Sequence, residues 1–350
     1  MRLLFTLIFL TILSFSKAHC QGWQWARGNT GGQVDGFSVA TDNSGNVFVG
    51  GEIAEVGGVL IKDAVFSPVT IPFSNATPFG AQTIIAKYDA SGNLLWAIGS
   101  QNGDTRLIDI ETDRNGNIFV FGTFYSKTVR MGSITLTNTI YPKEQYYLIK
   151  FDPSGNVIWA RNDGNAKGGL ISSYSNTTGG ITTDLSGNVY ITSDFSLSSV
   201  SIGGNTLTNS NPLGGEDIFI VKYDPLGNIV WAKSFGGIDR DYANGITVTA
   251  AGDIYIVGTF ESPSITFGST VFTKSGSGGK TYMARLDAAG NCIWATTNSS
   301  IGVGDYFIGV VSDLSNNVYV IGGIYENSVT YNGTTIINPT PQNTSILNYS

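Results

Sequence analysis

An all-β fold assembled from tandem four-stranded units is what this 350-residue sequence predicts, on three observations. A turn-plus-strand motif ending in Trp-Ala recurs along the chain. A second turn-plus-strand motif alternates with it. The composition suits strands and turns, with 45 Gly, only 13% charged residues, and abundant Asn, Ser, Thr and β-branched side chains.

The first motif reads Asp89-Ala-Ser-Gly-Asn-Leu-Leu-Trp-Ala97, Asp152-Pro-Ser-Gly-Asn-Val-Ile-Trp-Ala160, Asp224-Pro-Leu-Gly-Asn-Ile-Val-Trp-Ala232 and Asp287-Ala-Ala-Gly-Asn-Cys-Ile-Trp-Ala295. A truncated copy, Trp23-Gln-Trp-Ala26, stands near the N-terminus. Asp opens a turn through its side-chain acceptor, Gly supplies a left-handed backbone position, and an alternating apolar strand follows. The aligned tryptophans Trp25, Trp96, Trp159, Trp231 and Trp294 lie 71, 63, 72 and 63 residues apart. A fixed long period of this kind marks a repeat architecture.

The other elements of a unit follow from the same pattern. A first strand, such as Phe37 to Thr41 or Ile108 to Thr112, leads into the second motif. That motif is Asp42-Asn-Ser-Gly-Asn-Val-Phe-Val-Gly50, Asp113-Arg-Asn-Gly-Asn-Ile-Phe-Val-Phe-Gly122 or Asp184-Leu-Ser-Gly-Asn-Val-Tyr-Ile191. Weaker copies run Ala250 to Gly258 and Asp313 to Gly322. A loop of about twenty residues comes next, with short strand-like inserts at Ser133–Leu136, Ser264–Phe267 and Ser328–Tyr331. Third strands are Thr83–Tyr88, Tyr146–Phe151, Ile218–Tyr223, Thr281–Leu286 and, at the end of the chain, Thr344–Tyr349. The Trp strand closes each unit.

Four up-and-down strands repeated radially make the blade of a β-propeller. Five second motifs and five third strands lie between residues 37 and 349, and the fifth Trp strand is displaced to the N-terminus. The offset predicts a five-bladed ring closed by the N-terminal strand, which would remove the exposed sheet edges. The alternative is an open array whose further blades lie beyond Ser350. Residues 21–350 are thus read as one propeller domain.

The motifs Asp224 to Ala232, Gly187-Asn-Val-Tyr-Ile191 and Phe219-Ile-Val-Lys-Tyr-Asp224 together resemble the SBBP beta-propeller repeat family. The resemblance covers essentially all of residues 21–350. It implies a secreted bacterial protein, of the kind found in Bacteroidetes-type organisms, and specifies no activity. That family's name implies seven blades, where five are counted here.

Residues 1–20 read as a signal peptide, with Arg2 as the positive region, Leu3 to Leu13 as the apolar run and Ser16-Lys17-Ala18 as a small-residue cleavage site. Cleavage after Cys20 is the competing choice, and Cys20 also raises a lipoprotein reading that Lys17 and His19 disfavour. The apolar run is too short to span a bilayer. A secreted, extracellular or cell-surface location is expected, with no membrane span. Loss of Cys20 leaves Cys292 alone, read as a small core residue. The net charge of −7 argues against nucleic acid or an anionic membrane surface as partner.

The only histidine is His19, so the mature chain lacks an imidazole for Ser-His-Asp or Cys-His catalysis and for His-ligated metals. The Asp-x-x-Gly-Asn turns are superficially similar to calcium loops but lack the spaced acidic ligands and distal Glu. Lys87, Lys150, Lys222 and Arg285 are read as a solvated strand position. One set points to a ligand. Asp35, Asp104, Asp241 and Asp305 each lie seven to nine residues before the second-motif turn, at the expected mouth of the central channel, and Tyr242 and Tyr306 follow two of them. Blade three has Ser175 and Asn176 there, in a longer loop from Asp163 to Thr178. A ring of carboxylates could bind a cation or a polar, sugar-like ligand; the plainer alternative is that each Asp caps its own turn. The expected function is a non-enzymatic binding module for a protein or glycan at a propeller face, with no metal or cofactor. The alternative is a carbohydrate-active hydrolase or lyase using these carboxylates.

Overall fold

The computed structural model describes residues 26, 30–31, 34–54, 63–73, 80–162, 178–211, 215–274, 276, 278–298, 305–331 and 333–338. The signal peptide, Trp23, Trp25, the Asp163–Thr177 loop and the Thr344–Tyr349 strand lie outside them.

Among the described residues every regular element is a strand. Blade 1 consists of Val34–Thr41, Val47–Ala54, Ala81–Tyr88 and Leu94–Gln101. Blade 2 consists of Thr105–Thr112, Ile118–Phe124, Gln145–Phe151 and Val157–Arg161. Gly180–Thr183, Val189–Phe195, Asp217–Tyr223 and Ile229–Phe235 form blade 3. Asp241–Val248, Ile254–Phe260, Lys280–Leu286 and Cys292–Thr297 form blade 4. Each is an antiparallel meander in chain order. Blade 5 contributes Tyr306–Ser312 paired with Val318–Gly323. The first strands of successive blades lie side by side, from blade 1 through to blade 5.

After its second strand each blade carries a two-stranded hairpin, such as Thr128–Met131 with Ile134–Thr137 and Ser264–Phe267 with Thr270–Thr273. The sequence reading names one strand of the hairpins in blades 2, 4 and 5 and neither strand of those in blades 1 and 3, because strands of three or four residues joined by a tight turn carry little periodicity. The hairpin of blade 2 pairs with the fourth strand of blade 1, Arg130 opposite Gln101. In the same register, Val65 of the blade 1 hairpin lies opposite Thr30. Thr30 is five residues past Trp25, as Gln101 is five past Trp96.

The turns are closed by their own residues. In the Asp42 turn, Oδ1 accepts the N–H groups of Ser44 (2.9 Å) and Asn46 (3.0 Å), and Oδ2 accepts Asn46 Nδ2 (2.7 Å). Gly45 supplies the positive φ of 76°. The same bonds recur at Asp89, Asp113, Asp152, Asp184, Asp224, Asp287 and Asp313. These contacts hold the turn carboxyls of Asp152, Asp287 and Asp313 below the usual carboxylate range, chiefly through the paired Asn.

The apolar core lies between blades, in clusters that join the trailing face of one blade to the leading face of the next. Ala40, Phe48 and Ile85 of blade 1 meet Leu107, Ile110 and Val120 of blade 2, and the pattern repeats to Val257 and Met283 of blade 4 against Val310 and Val320 of blade 5. The Trp strands of blades 1, 2 and 3 add a polar stitch. Trp96 Nε1 donates to Pro153 O, Trp159 Nε1 to Pro225 O and Trp231 Nε1 to Ala288 O, all at 3.1 Å, so each indole clasps the next blade's turn.

Among the described residues, the two ends of the array lack such a neighbour. Val39, on the leading face of blade 1, is 65% exposed, whereas its equivalents Ile110, Ile181, Ile246 and Val310 are at most 7% exposed. On the trailing face of blade 5, Val311 and Ile321 are 62% and 48% exposed, while Val257, which corresponds to Ile321, is fully buried.

Candidate functional site

The first strands of blades 1, 2, 4 and 5 carry a bulge, between Gly36 and Ser38, Leu107 and Asp109, Ala243 and Gly245, and Phe307 and Gly309. The bulge drives the carbonyls of Asp35, Arg106, Tyr242 and Tyr306 onto the second strand, where only Gly51, Gly122, Gly258 and Gly322 leave room. These contacts fix the structural equivalence of the candidate residues. Asp35, Arg106, Tyr242 and Tyr306 occupy one register, opposite Glu52, Thr123, Thr259 and Gly323.

The four aspartates therefore do not share one level. Asp241 and Asp305 lie one residue before that register and Asp104 two before it. Neighbouring strand residues face opposite sides, so a one-residue offset changes the surroundings completely. Asp35 is exposed on its strand. Asp241 is fully buried. Its carboxylate accepts Gly237 N (2.7 Å), Ser262 Oγ (2.8 Å) and Ser262 N (3.3 Å), and burial raises its pKa to about 6. Asp305, also buried, accepts Tyr325 N (2.9 Å) and Asn298 Nδ2 (3.0 Å). Asp104 accepts Ala81 N (2.8 Å) from the third strand of blade 1, and its own N–H donates to Ser126 Oγ (2.6 Å); burial raises its pKa. These three side chains fasten the loop that enters a first strand to its neighbours.

The tyrosines stand nearer the surface. Tyr242 is half-buried, and burial followed by the Glu216 and Glu261 carboxylates moves its hydroxyl well above the ordinary phenol range. Tyr306 packs against the exposed Tyr325, with ring centroids 6.2 Å apart. At their register in blade 2, Arg106 Nη1 contacts Glu52 Oε2 at 3.3 Å.

Sequence reasoning missed several buried acids. Glu52 accepts Leu107 N at 2.7 Å across the blade 1–2 boundary, and burial pushes its pKa to about 7. Asp109 joins three blades, accepting Ser38 Oγ (2.6 Å) from blade 1 and Ile181 N (3.2 Å) from blade 3; burial raises it. Glu111, two residues on, is raised to about 7, first by burial and then by Asp109. The available signal was the pair of carboxylates in Leu107-Ile-Asp-Ile-Glu111, where the other first strands have Ser, Gly, Ala, Thr or Val.

The basic series corrects a further expectation. Lys87 and Lys150 are buried rather than solvated. Lys87 Nζ lies 4.8 Å from the Phe48 ring centre, 3.6 Å from Asp42 Oδ2 and 3.0 Å from Pro153 O. Lys150 repeats the arrangement with Phe119 (4.9 Å), Asp113 (3.3 Å) and Pro225 O (3.5 Å). In blade 3 Lys222 lies over Tyr190, whose hydroxyl donates to Asp184 Oδ2 at 3.0 Å. In blade 4 Arg285 pairs with Asp253 at 2.7 Å. The amphipathic lysine stem reaches past the edge strand because acid, ring and carbonyl await it there.

Cys292 is partly buried against the blade 3–4 cluster, and burial raises its thiol pKa. Among the described residues no group of three His, Cys, Asp or Glu is placed to hold a metal ion. No described helix is long and apolar enough to cross a membrane.

No protein-family model matches the sequence. The chain is similar to an uncharacterised WD repeat-containing protein of Acanthamoeba polyphaga mimivirus, 24% identical over 346 residues, covering 81% of this chain. It spans 24% of that relative's length. A solved structure of a Dyadobacter fermentans protein of unknown function aligns with TM-score 0.39 and 10% identity, over 90% of this chain and 85% of that one. The WD40 domain of Pan2 from Neurospora crassa aligns with TM-score 0.32 and 10% identity, over 91% of this chain and 79% of that one. With its successive four-stranded meanders laid first strand to first strand, and its WD-repeat relative, the chain is a β-propeller repeat protein.

Proposed function

We propose that the chain is a secreted, non-enzymatic propeller of the SBBP type, with five blades closed by its N-terminal strand, and that it binds a protein or glycan on its loop-bearing face. Closure is supported by the unmatched apolar faces at Val39 and at Val311 and Ile321. It is supported again by the register of Thr30, which meets the blade 1 hairpin as a preceding blade's fourth strand does.

One observation carries the binding reading. Of the six residues picked out at the mouth, Asp104, Asp241 and Asp305 spend their carboxylates on main-chain and side-chain donors of the fold. What is left nearer the surface at one register is the exposed Asp35 with the half-buried Tyr242 and Tyr306, which we read as a recognition surface of one acid and two phenols. Phenol rings offer flat apolar area with a polar tip at low entropy cost, which suits protein and sugar partners alike.

The test is a paired screen of the purified chain on polysaccharide and protein arrays. Retention without turnover, lost in Tyr242→Ala/Tyr306→Ala with the fold intact, is expected. Glycan turnover abolished by Asp35→Asn or by the triple Asp104→Asn, Asp241→Asn, Asp305→Asn would instead establish the hydrolase or lyase reading.

A further inference from the structure

The turns that join strands one and two, or three and four, share one plan, and it leaves the residue before the positive-φ position free to vary. That residue is Ser44, Ser91, Ser154, Ser186 or Ser315 in five turns, Ala251 or Ala289 in two, and Leu226 in one. In the first turn of blade 2 it is Asn115, followed by Gly116 at φ 75°. Asn115 alone in this series carries an electrophilic side-chain carbon that can close a five-membered ring with the next main-chain nitrogen.

Three Asn-Gly pairs lie among the described residues. Asn244 Nδ2 donates to Phe307 O (2.7 Å), and Gly245 is held in its ladder opposite Val257 and against Gly309 of the next blade. Gly103, after Asn102, is boxed in: a Cβ there would sit 2.6 Å from Thr128 O. Asn115 is exposed, and a Cβ on Gly116 would meet nothing nearer than 3.6 Å. The N–H of Gly116 donates to Asp113 O (3.0 Å), so that one bond must open before the nitrogen can react.

We propose that Asn115 is a site of spontaneous deamidation whose product loosens the blade 2 turn and its contact with blade 1. The Gly116 nitrogen gives its proton to hydroxide and attacks Asn115 Cγ. The bond from Cγ to the side-chain nitrogen breaks, and that nitrogen takes a proton from water and leaves as ammonia. Water then opens the succinimide at either carbonyl, giving aspartate or isoaspartate at position 115. Isoaspartate routes the main chain through the former side chain and lengthens it by a methylene. Asp113 Oδ1 spans this very bond, accepting the N–H groups of Asn115 (2.9 Å) and Asn117 (3.0 Å), while Oδ2 accepts Asn117 Nδ2 (2.7 Å) and faces Lys150 (3.3 Å). A longer main chain pulls these partners apart. Arg114 O, one residue earlier, accepts Asn43 Nδ2 of blade 1 (3.2 Å), so the disturbance reaches the neighbouring blade.

The test ages the purified chain at neutral and at mildly alkaline pH, in an Asn332→Ser background that removes the remaining Asn-Gly pair. Isoelectric focusing and peptide mapping follow the products. The expected result is a species more acidic by one charge, formed faster at the alkaline pH, mapped to Asn115 and lost in Asn115→Ser. Its isoaspartate fraction should melt at a lower temperature than fresh protein. Asn115→Ser itself should melt with the parent, because five sister turns carry serine there. No acidic species, conversion at Asn102 or Asn244 ahead of Asn115, or an acidic species that persists in Asn115→Ser would overturn the site. An isoaspartate fraction that melts with the parent would overturn the loosening of the turn.

Discussion

At the level of single residues, the interior polar groups decide more than their small number suggests. Lys150 and Asp113 form a buried pair, and removing one partner strands the other away from water. Lys150→Ala should cost about 3 kcal/mol, read by urea unfolding. Trp231→Ala removes both the ring packing on Tyr190 and the bond to Ala288 O, and should cost about 3 kcal/mol. Asp241→Asn keeps an acceptor for Gly237 and Ser262 and should cost nearer about 1 kcal/mol. Equal losses in thermal melts would refute this ordering. Acid–base behaviour follows from Glu52, Glu111 and Asp241, raised from 4.5, 4.5 and 3.8 to about 7, 7 and 6. Their folded values exceed their unfolded ones, so the folded chain holds more protons in between. Stability is then greatest below the unfolded values and falls as pH rises through the folded ones. The turn aspartates act oppositely and lose their contribution as pH falls below the usual carboxylate range. The melting temperature should therefore be higher near about pH 5 than near about pH 8. Glu52→Gln should flatten that slope; an unchanged slope would contradict the assignment.

At the scale of strands and turns, much of the molecule was legible beforehand, for a physical reason. Turn chemistry is local, so Asp-x-x-Gly-Asn announces itself without tertiary context. The third strands, buried on both faces, appear as continuous apolar runs such as Tyr147-Leu-Ile149. First strands began three residues earlier than read, at Val34 and Thr105, because the bulge breaks their alternation. The candidate carboxylates were grouped by a spacing of seven to nine residues. That spread is itself the missed signal: seven for Asp35, eight for Asp241 and Asp305, and nine for Asp104, each a different register. Burial of Lys87 and Lys150 could not be read from their own strands, since acid, ring and carbonyl come from three other segments. The bulge also makes a prediction. Gly258→Ala would drive a methyl into Tyr242 O, backbone that cannot give way, and against the Tyr282 hydroxyl. It should cost about 3 kcal/mol or more, whereas Gly252→Ala, in open space but at φ 89°, should cost about 1 kcal/mol. Similar losses in chemical denaturation would remove the steric account of the bulge.

Over the whole molecule, the repeating logic is that each blade is half an interface. Leading and trailing faces bury one another, indoles clasp the next turn, and hydroxyls step from one inner strand to the next, Thr112 Oγ1 to Thr41 O (2.7 Å) and Thr183 Oγ1 to Thr112 O (2.9 Å). A linear series of such blades must leave one face of each kind unpaired, and Val39 and Val311 mark them. Exposed apolar sheet faces invite association, which a ring avoids. Ala40 and Ile110, which correspond to Val311 and Val39, share one cluster across the blade 1–2 boundary. The most direct test of closure is therefore oxidative cross-linking of a Val39→Cys/Val311→Cys variant in a Cys292→Ser background, read by mass and by gel mobility. The account predicts a disulfide formed within one chain, at low protein concentration and with the fold retained. Free thiols, or bridges formed only between chains, would contradict it.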